Sequence, residues 1–410
     1  MQKWLEVVSK LFSAAADDLG AAAASTFEKK SLGVAKQRPP RFFTRLPRRT
    51  AYLVILATSL FLRPLLLLFF GVACAMFVPS KYGYAQIPGT ESVRELYHLD
   101  NKFVAAYDAS KNSMRILVDN QGVLQEKVEV PTDSTVMAAV ALPENSVAYA
   151  KGMIRGDATR PIQVHRYNLD SGSDTLLFEY SGERNQVVGL RWNQSKLWID
   201  FFESKYFTTI GYLSPTADKL SKWEFTKVGQ LRMGDSFDVL GDTLVVGRSY
   251  GDEQGEDGDV LLFQKGSKEL LPSYRGVRAV KLFGDSQNPS IVIADGWHAN
   301  YGQVAQARVS LLRKRVGEDR YALELIDRDH SNYSFGSLFT FRLHGKNRIA
   351  ALGNASLIVY TETPGKWSKE VIYTKVQPDT LLAGVLVRSD ESGAMFAVAD
   401  GGVRVVSYKG

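Results

Sequence analysis

The sequence predicts an all-β fold, a β-propeller of about seven blades, preceded by an N-terminal helical leader with a transmembrane segment. Three observations lead to this prediction. Beyond about residue 90, short apolar and β-branched runs alternate with Asp, Asn, Gly and Ser turns. These runs recur every ~40–50 residues, the length of a four-stranded propeller blade. The second run of most groups ends in small residues.

The small residues at the ends of the second runs suit strands near a propeller axis, where converging blades leave little room for side chains. The best-matching second runs are FVAAYDA, SVAYAKG, TLVVGRS, SIVIADG, RIAALGN and MFAVADG. The predicted blades span residues 91–131, 134–182, 184–228, 233–275, 277–330, 336–378 and 380–410.

The last predicted blade has only three runs, LLAGVLVRS, AMFAVADG and VRVVSYKG. Residues around 83–91 are expected to supply its fourth strand, which would hide an open sheet edge. The segment closest to a helical period is VAQARVSLLRKRV, at residues 304–316, and its neighbours favour a strand there as well.

The sequence divides into four regions. Residues 1–50 form a basic cytoplasmic leader that starts with an amphipathic helix, and 51–78 form a transmembrane or signal segment. Residues 79–90 are a linker, and 91–410 form the propeller.

The net charge of +6 is concentrated in the leader, where ten Lys or Arg residues outnumber four Asp or Glu residues. The rest of the chain is neutral, which argues against a nucleic-acid partner. Positive charge before an apolar run marks the cytoplasmic side, so the propeller is expected on the periplasmic or extracellular side.

The apolar run allows two outcomes, a retained anchor in the membrane or a cleaved export signal. Arg63 and Pro64 near its middle disfavour a plain transmembrane helix, because a central Arg costs roughly 2.5–3.5 kcal/mol. Gly83 and Ala85 provide small residues for a signal-peptidase cut before Gln86. The single cysteine, Cys74, lies in this run, so the propeller lacks disulfides and thiol nucleophiles.

Three stretches resemble FG-GAP or VCBS-type repeats, found in the propellers of integrin α-chains and in exported bacterial proteins. They are residues 241–264, 282–303 and 341–367. The resemblance implies a propeller whose loops hold Ca²⁺ through alternating Asp and Asn oxygens. Here His344 and Lys346 stand where carboxylates are expected, and residues 284–289 offer few oxygens, so we expect calcium to be lost at both loops. The acidic stretch from Asp252 to Asp259 is the remaining candidate for Ca²⁺, and no other cofactor or metal is expected.

The densest polar and aromatic cluster comes after the second strand of the fifth blade. Its candidate binding residues are Asp295, Trp297, His298, Asn300 and Tyr301. Asp295 and His298 suit acid–base chemistry, and the aromatic rings suit stacking on a sugar or a partner side chain. Packing between blades and turn formation explain the same residues without a function.

A second cluster contains Asp327, Asp329, His330, Asn332 and Tyr333, and we expect it to be structural. Asn332 also begins one of three Asn-x-Ser/Thr sequences, together with Asn193 and Asn354. No catalytic residue is assigned.

The sequence therefore predicts a non-catalytic binding or scaffold module that recognises a protein or glycan partner, with a membrane contact through 51–78 if that segment is uncleaved. A propeller enzyme acting on a polysaccharide is the alternative. A quinoprotein-like redox propeller is a third hypothesis, but the sequence lacks the regular Trp motifs expected for it.

Overall fold

The computed structural model describes residues 84–410 apart from several short gaps. The gaps are residues 101–102, 153–159, 217–218, 233, 253–254, 274–276, 296–306, 316, 333 and 378–381, and side chains are also undescribed at 219–222, 235, 249–252 and 255–258. The expected N-terminal helix and the apolar segment 51–78 lie outside the described residues. No helix long and apolar enough to cross a membrane occurs in the described part of the chain.

Within the described residues, twenty-eight strands form seven antiparallel four-stranded sheets, which are the blades. Blade 1 contains β2 (Val93–His98), β3 (Phe103–Asp108), β4 (Ser113–Asn120) and β5 (Val123–Pro131). Blade 2 contains β6 (Thr135–Leu142), β7 (Ser146–Gly152), β8 (Ile162–Asn168) and β9 (Asp174–Tyr180). Blade 3 contains β10 (Val187–Asn193), β11 (Lys196–Phe202), β12 (Phe207–Thr216) and β13 (Lys219–Arg232). Blade 4 contains β14 (Gly234–Leu240), β15 (Thr243–Asp252), β16 (Gly255–Gln264) and β17 (Ser267–Leu271).

The remaining strands complete the ring. Blade 5 contains β18 (Val277–Phe283), β19 (Ser290–Asp295), β20 (Ala307–Lys314) and β21 (Tyr321–Asp329). Blade 6 contains β22 (Phe335–Leu343), β23 (Lys346–Gly353), β24 (Ser356–Thr363) and β25 (Lys366–Thr374). Blade 7 contains β26 (Ala383–Asp390), β27 (Gly393–Ala399), β28 (Val403–Tyr408) and, from the other end of the domain, β1 (Tyr84–Gln86).

The first strands of neighbouring blades contact one another around a closed ring, from β2 through β26 and back to β2. The prediction of seven four-stranded blades is therefore confirmed. The strand predicted within residues 304–316, the segment with the nearest approach to a helical period, is β20.

The hydrophobic core is divided among the blade interfaces. Seven clusters of buried residues each join two adjacent blades, including the pair formed by blades 7 and 1. The second strands lie within these interfaces, so their small residues are required by close packing. A Cβ atom added at Gly247 would lie 2.6 Å from Val277 of the next blade, and one added at Gly152 would lie 2.7 Å from a backbone oxygen.

Strand β1 fastens blade 7, as expected from the missing fourth run. Tyr84, Ala85 and Gln86 pair with Val406, Val405 and Arg404 of β28. The Tyr84 ring meets that of Tyr373 edge-on, with a centroid distance of 5.4 Å. The cut proposed before Gln86 would thus remove two of the three residues of this strand.

Candidate functional site

The two faces of the propeller have connections of different length. In each antiparallel blade, the second-to-third connection and the connection to the next blade lie at one end, which we call the upper face. The other connections lie at the lower face. The longest intervals between described strands, residues 153–161, 296–306 and 375–382, all begin and end at the upper face. On the lower face, the longest connections between described strands are the shorter segments 284–289 and 315–320.

Several lower-face connections are two-residue hairpin turns whose central residues both have positive φ angles, a geometry that matches the twist of the strands. Examples are Gln121–Gly122, Lys265–Gly266 and His344–Gly345. His344 is therefore a turn residue in this fold.

Asp295 ends β19 at the upper face, at the base of the 296–306 connection. The side chain is 1% exposed, and its Oδ1 accepts a hydrogen bond of 2.6 Å from Nε of Arg308 on β20. Burial raises the pKa of Asp295 to about 6, although Arg308 acts in the opposite direction. Asp295 is thus a buried, partnered carboxyl group.

The other four candidate residues, Trp297, His298, Asn300 and Tyr301, lie outside the described residues, so their grouping with Asp295 stays a prediction. Arg308 was not among the residues predicted from the sequence. Arg308 could have been found from the strand pattern of residues 304–316, because pairing of β19 with β20 places Arg308 opposite Asp295.

Asp108 occupies the position in blade 1 that Asp295 occupies in blade 5, because each pairs with the first residue of its inner strand, Val93 or Val277. Its Oδ1 accepts hydrogen bonds from the hydroxyl of Ser92 (2.6 Å) and from the backbone of Ser110 (3.0 Å). Burial opposes ionisation of Asp108, but these donors outweigh it and lower the pKa. Equivalent aspartates therefore have opposite pKa shifts.

The second predicted cluster joins blades 5 and 6. Lys369 Nζ lies 2.7 Å from Asp327 and 2.5 Å from Asp329. The Tyr360 hydroxyl also donates to Asp327, at 2.9 Å. Burial opposes ionisation of Asp329, but hydrogen bonds from Lys369 and from neighbouring groups on its own loop outweigh it and lower the pKa to about 2.

Asn332 connects the same two blades from within the interface. The side chain is fully buried, and its Oδ1 accepts hydrogen bonds from the backbone of Ala355 (2.8 Å) and Ser356 (3.2 Å). The structural role expected for Asp327, Asp329 and Asn332 is confirmed. His330 is exposed, and Tyr333 lies outside the described residues.

Asp400 plays a comparable part between blades 6 and 7. It accepts hydrogen bonds from the hydroxyl of Tyr373 (2.7 Å) and from the backbone of Val376 (2.6 Å) and Gln377 (3.1 Å). Buried carboxyl and amide groups beneath the upper-face connections thus hold the blades together.

The acidic stretch from Asp252 to Asp259 forms the tip of the hairpin β15–β16. Asp259 is paired with Arg248, and most of the other side chains in the stretch are not described. Among the described residues, no group of three His, Cys, Asp or Glu side chains is placed to hold a metal ion.

The architecture defines the class: the chain contains a seven-bladed β-propeller whose last blade is completed by β1, the first described strand. Among solved structures, it is similar to the β-propeller domain of the Trilobed protease from Pyrococcus furiosus, which has an open velcro topology. The sequence identity is 12% and the TM-score is 0.45, over 78% of this chain and 95% of that chain. No protein-family model matches the sequence, so the FG-GAP or VCBS resemblance is not confirmed. No curated protein matches the chain in sequence.

Proposed function

We propose that this propeller is a non-catalytic binding or scaffold module that recognises a protein or glycan partner through its upper face. The proposal rests on the longest intervals between described strands, which begin and end at that face in blades 2 and 5 and between blades 6 and 7. Loops on a rigid framework are the usual carriers of binding residues.

The framework beneath these connections supports the proposal. Asp295 with Arg308, Asp329 with Lys369, and Asp400 hold strand ends and neighbouring blades in place. A binding site built on strand ends held in this way loses less conformational entropy on binding than one whose framework must first become ordered.

The cellular side is part of the proposal and rests on the sequence. The basic residues before 51–78 favour a cytoplasmic N-terminus, and hence a propeller on the periplasmic or extracellular side. Both a retained membrane anchor and a cleaved signal are compatible with this placement.

The test uses residues 79–410, which form one compact unit and contain all the paired strands of the described part of the chain. The immobilised fragment is expected to retain a specific protein or glycan from a membrane extract. Replacing residues 297–305 with a short Gly-Ser linker should abolish retention. The matched control replaces 317–319, on the lower face of the same blade, and should retain the partner. Equal retention by both variants would refute a binding site at the 296–306 connection.

A propeller enzyme acting on a polysaccharide is the second candidate. This candidate is favoured by Asp295, whose pKa of about 6 is close to neutral pH, as a general acid requires. Asp295 ends β19, and His298 follows it three residues later in the chain. The test is turnover of a polysaccharide panel by the 79–410 fragment. Loss of turnover in His298→Ala supports the enzyme, whereas unchanged turnover or none rejects this version of it.

A further inference from the structure

A cavity of about 440 Å³ opens on the lower face between blades 5 and 6. Blade 5 contributes Arg313 and Glu324, and blade 6 contributes Asn347, Glu362 and Trp367. The volume lies within the ~300–1,000 Å³ of small-molecule sites. The cavity is on the face opposite the long upper-face connections, so a ligand bound there would be separate from the partner of the proposed function.

The polar groups in the cavity form one connected network. Arg313 donates from Nη1 to Glu362 (2.9 Å) and from Nη2 to Glu324 (2.6 Å), and so links the two carboxylates. Asn347 Nδ2 donates to the second oxygen of Glu362 (2.9 Å), and Trp367 Nε1 donates to the second oxygen of Glu324 (3.2 Å).

This network orients its members for a ligand. Each of the four carboxylate oxygens accepts one of these hydrogen bonds and has the capacity for a second. Trp367 is half-buried and packs against the hydrophobic cluster between blades 5 and 6, which fixes the plane of its ring. The cavity therefore presents fixed acceptors and an indole ring held at a fixed orientation.

The ion pairs of this network contribute little to the stability of the fold. The side chains of Arg313, Glu324 and Glu362 are 43%, 40% and 30% exposed, and ion pairs with such exposure contribute only ~0–1 kcal/mol. Burial lowers the pKa of Arg313, but the two glutamates outweigh it and raise the pKa, so the guanidinium stays charged.

We propose that this cavity binds a neutral saccharide. Vicinal hydroxyl groups of a sugar can donate to the carboxylates of Glu324 and Glu362, and an oxygen can accept from Arg313. The apolar face of a pyranose ring matches the indole of Trp367. Arg313 already occupies the space between the carboxylates that a cation would need. Lys346 and Lys366 also line the cavity, so its charges are of both signs, which suits a neutral ligand that carries hydroxyl groups.

The test titrates the 79–410 fragment with cellotetraose, maltotetraose, mannotetraose and xylotetraose, using saturation-transfer NMR and calorimetry. At least one saccharide is expected to bind. Glu362→Gln and Asn347→Ala should each weaken its affinity about tenfold or more, equivalent to ~1.4 kcal/mol per tenfold. Glu362→Gln preserves the shape of the side chain, and a thermal melt verifies that the variant is folded.

The matched control is Glu126→Gln, which makes the same change in a carboxylate paired with Arg115 on blade 1. Its affinity should equal that of the unchanged fragment. The proposal is overturned if none of the four saccharides binds, if the cavity variants bind as well as the control, or if only an acidic peptide tested alongside them binds.

Discussion

Gly353 and Asn332 provide a quantitative test of how the blades are joined. A Cβ atom at Gly353 would lie 2.1 Å from Oδ1 and 2.4 Å from Cγ of Asn332, so Gly353→Ala must displace the amide. The displaced amide would lose its hydrogen bonds from Ala355 and Ser356, and its own donation to the Ser356 hydroxyl at 2.8 Å.

The expected magnitude is set by these three hydrogen bonds. At about 1 kcal/mol each, Gly353→Ala should lower the free energy of unfolding by about 3 kcal/mol. Asn332→Ala loses these three bonds and also the donations from Nδ2 to Asp329 (3.1 Å) and to the Ser331 hydroxyl (3.3 Å), so it should cost at least as much. In the double variant the shared bonds are lost only once, and the new methyl group enters the vacated space. The double variant should therefore cost about as much as Asn332→Ala alone, which is about 3 kcal/mol less than the sum of the two single changes and a coupling at the upper end of the usual range.

Urea-induced unfolding of the 79–410 fragment measures all four free energies of the cycle. Gly336→Ala is the matched control, because a Cβ atom at Gly336 would meet nothing within 4 Å, and it should be nearly neutral. Additivity of the two single changes to within about 0.5 kcal/mol would refute the assignment of Asn332 as the group that fills the space beside Gly353.

Three further predictions concern charge and ring closure. Lys369→Met removes a cation that helps to lower the pKa of Asp329 from 3.8 to about 2. A carboxyl group with a lowered pKa stabilises the folded state above pH 3.8, and this stability is lost as the pH falls toward 2. The urea midpoint of the variant should therefore change less between these pH values than that of the unchanged fragment. Arg308→Met should cost about 3–5 kcal/mol near neutral pH and less at about pH 5. There the carboxyl of Asp295, with its pKa raised to about 6, is largely neutral, and an equal loss at both pH values would contradict this. The free energy of unfolding should be about 1–2 kcal/mol lower for a chain that begins at Gln86 than for one that begins at Pro79. Equal values would show that β1 adds no stability.

Strand order and blade number were predictable because they depend on local patterns. The alternation of apolar and polar residues defines each strand, and the small residues of the second strands reflect close contact with the next blade, as at Gly247 against Val277. The fourth strand of blade 7 was predictable because the last group was one strand short.

The bonds between blades could not be read from the sequence, since they depend on how distant strands are placed in three dimensions. Asp329 and Lys369 meet across two blades, and Asn332, which begins an Asn-x-Ser sequence, is buried and fully bonded. The pair formed by Arg313 and Glu362 arises in the same way. Of the predicted site residues, Asp295 was correctly placed at a strand end, but its burial against Arg308 was not foreseen.

The strand that fastens the ring is also the strand through which the propeller continues into the preceding chain. A pull on the chain before residue 84 would be borne first by the three residue pairs between β1 and β28, ahead of the seven hydrophobic interfaces. If the apolar segment stays in a membrane, mechanical load on the protein would therefore detach the outer edge of blade 7 before it disturbs any other blade.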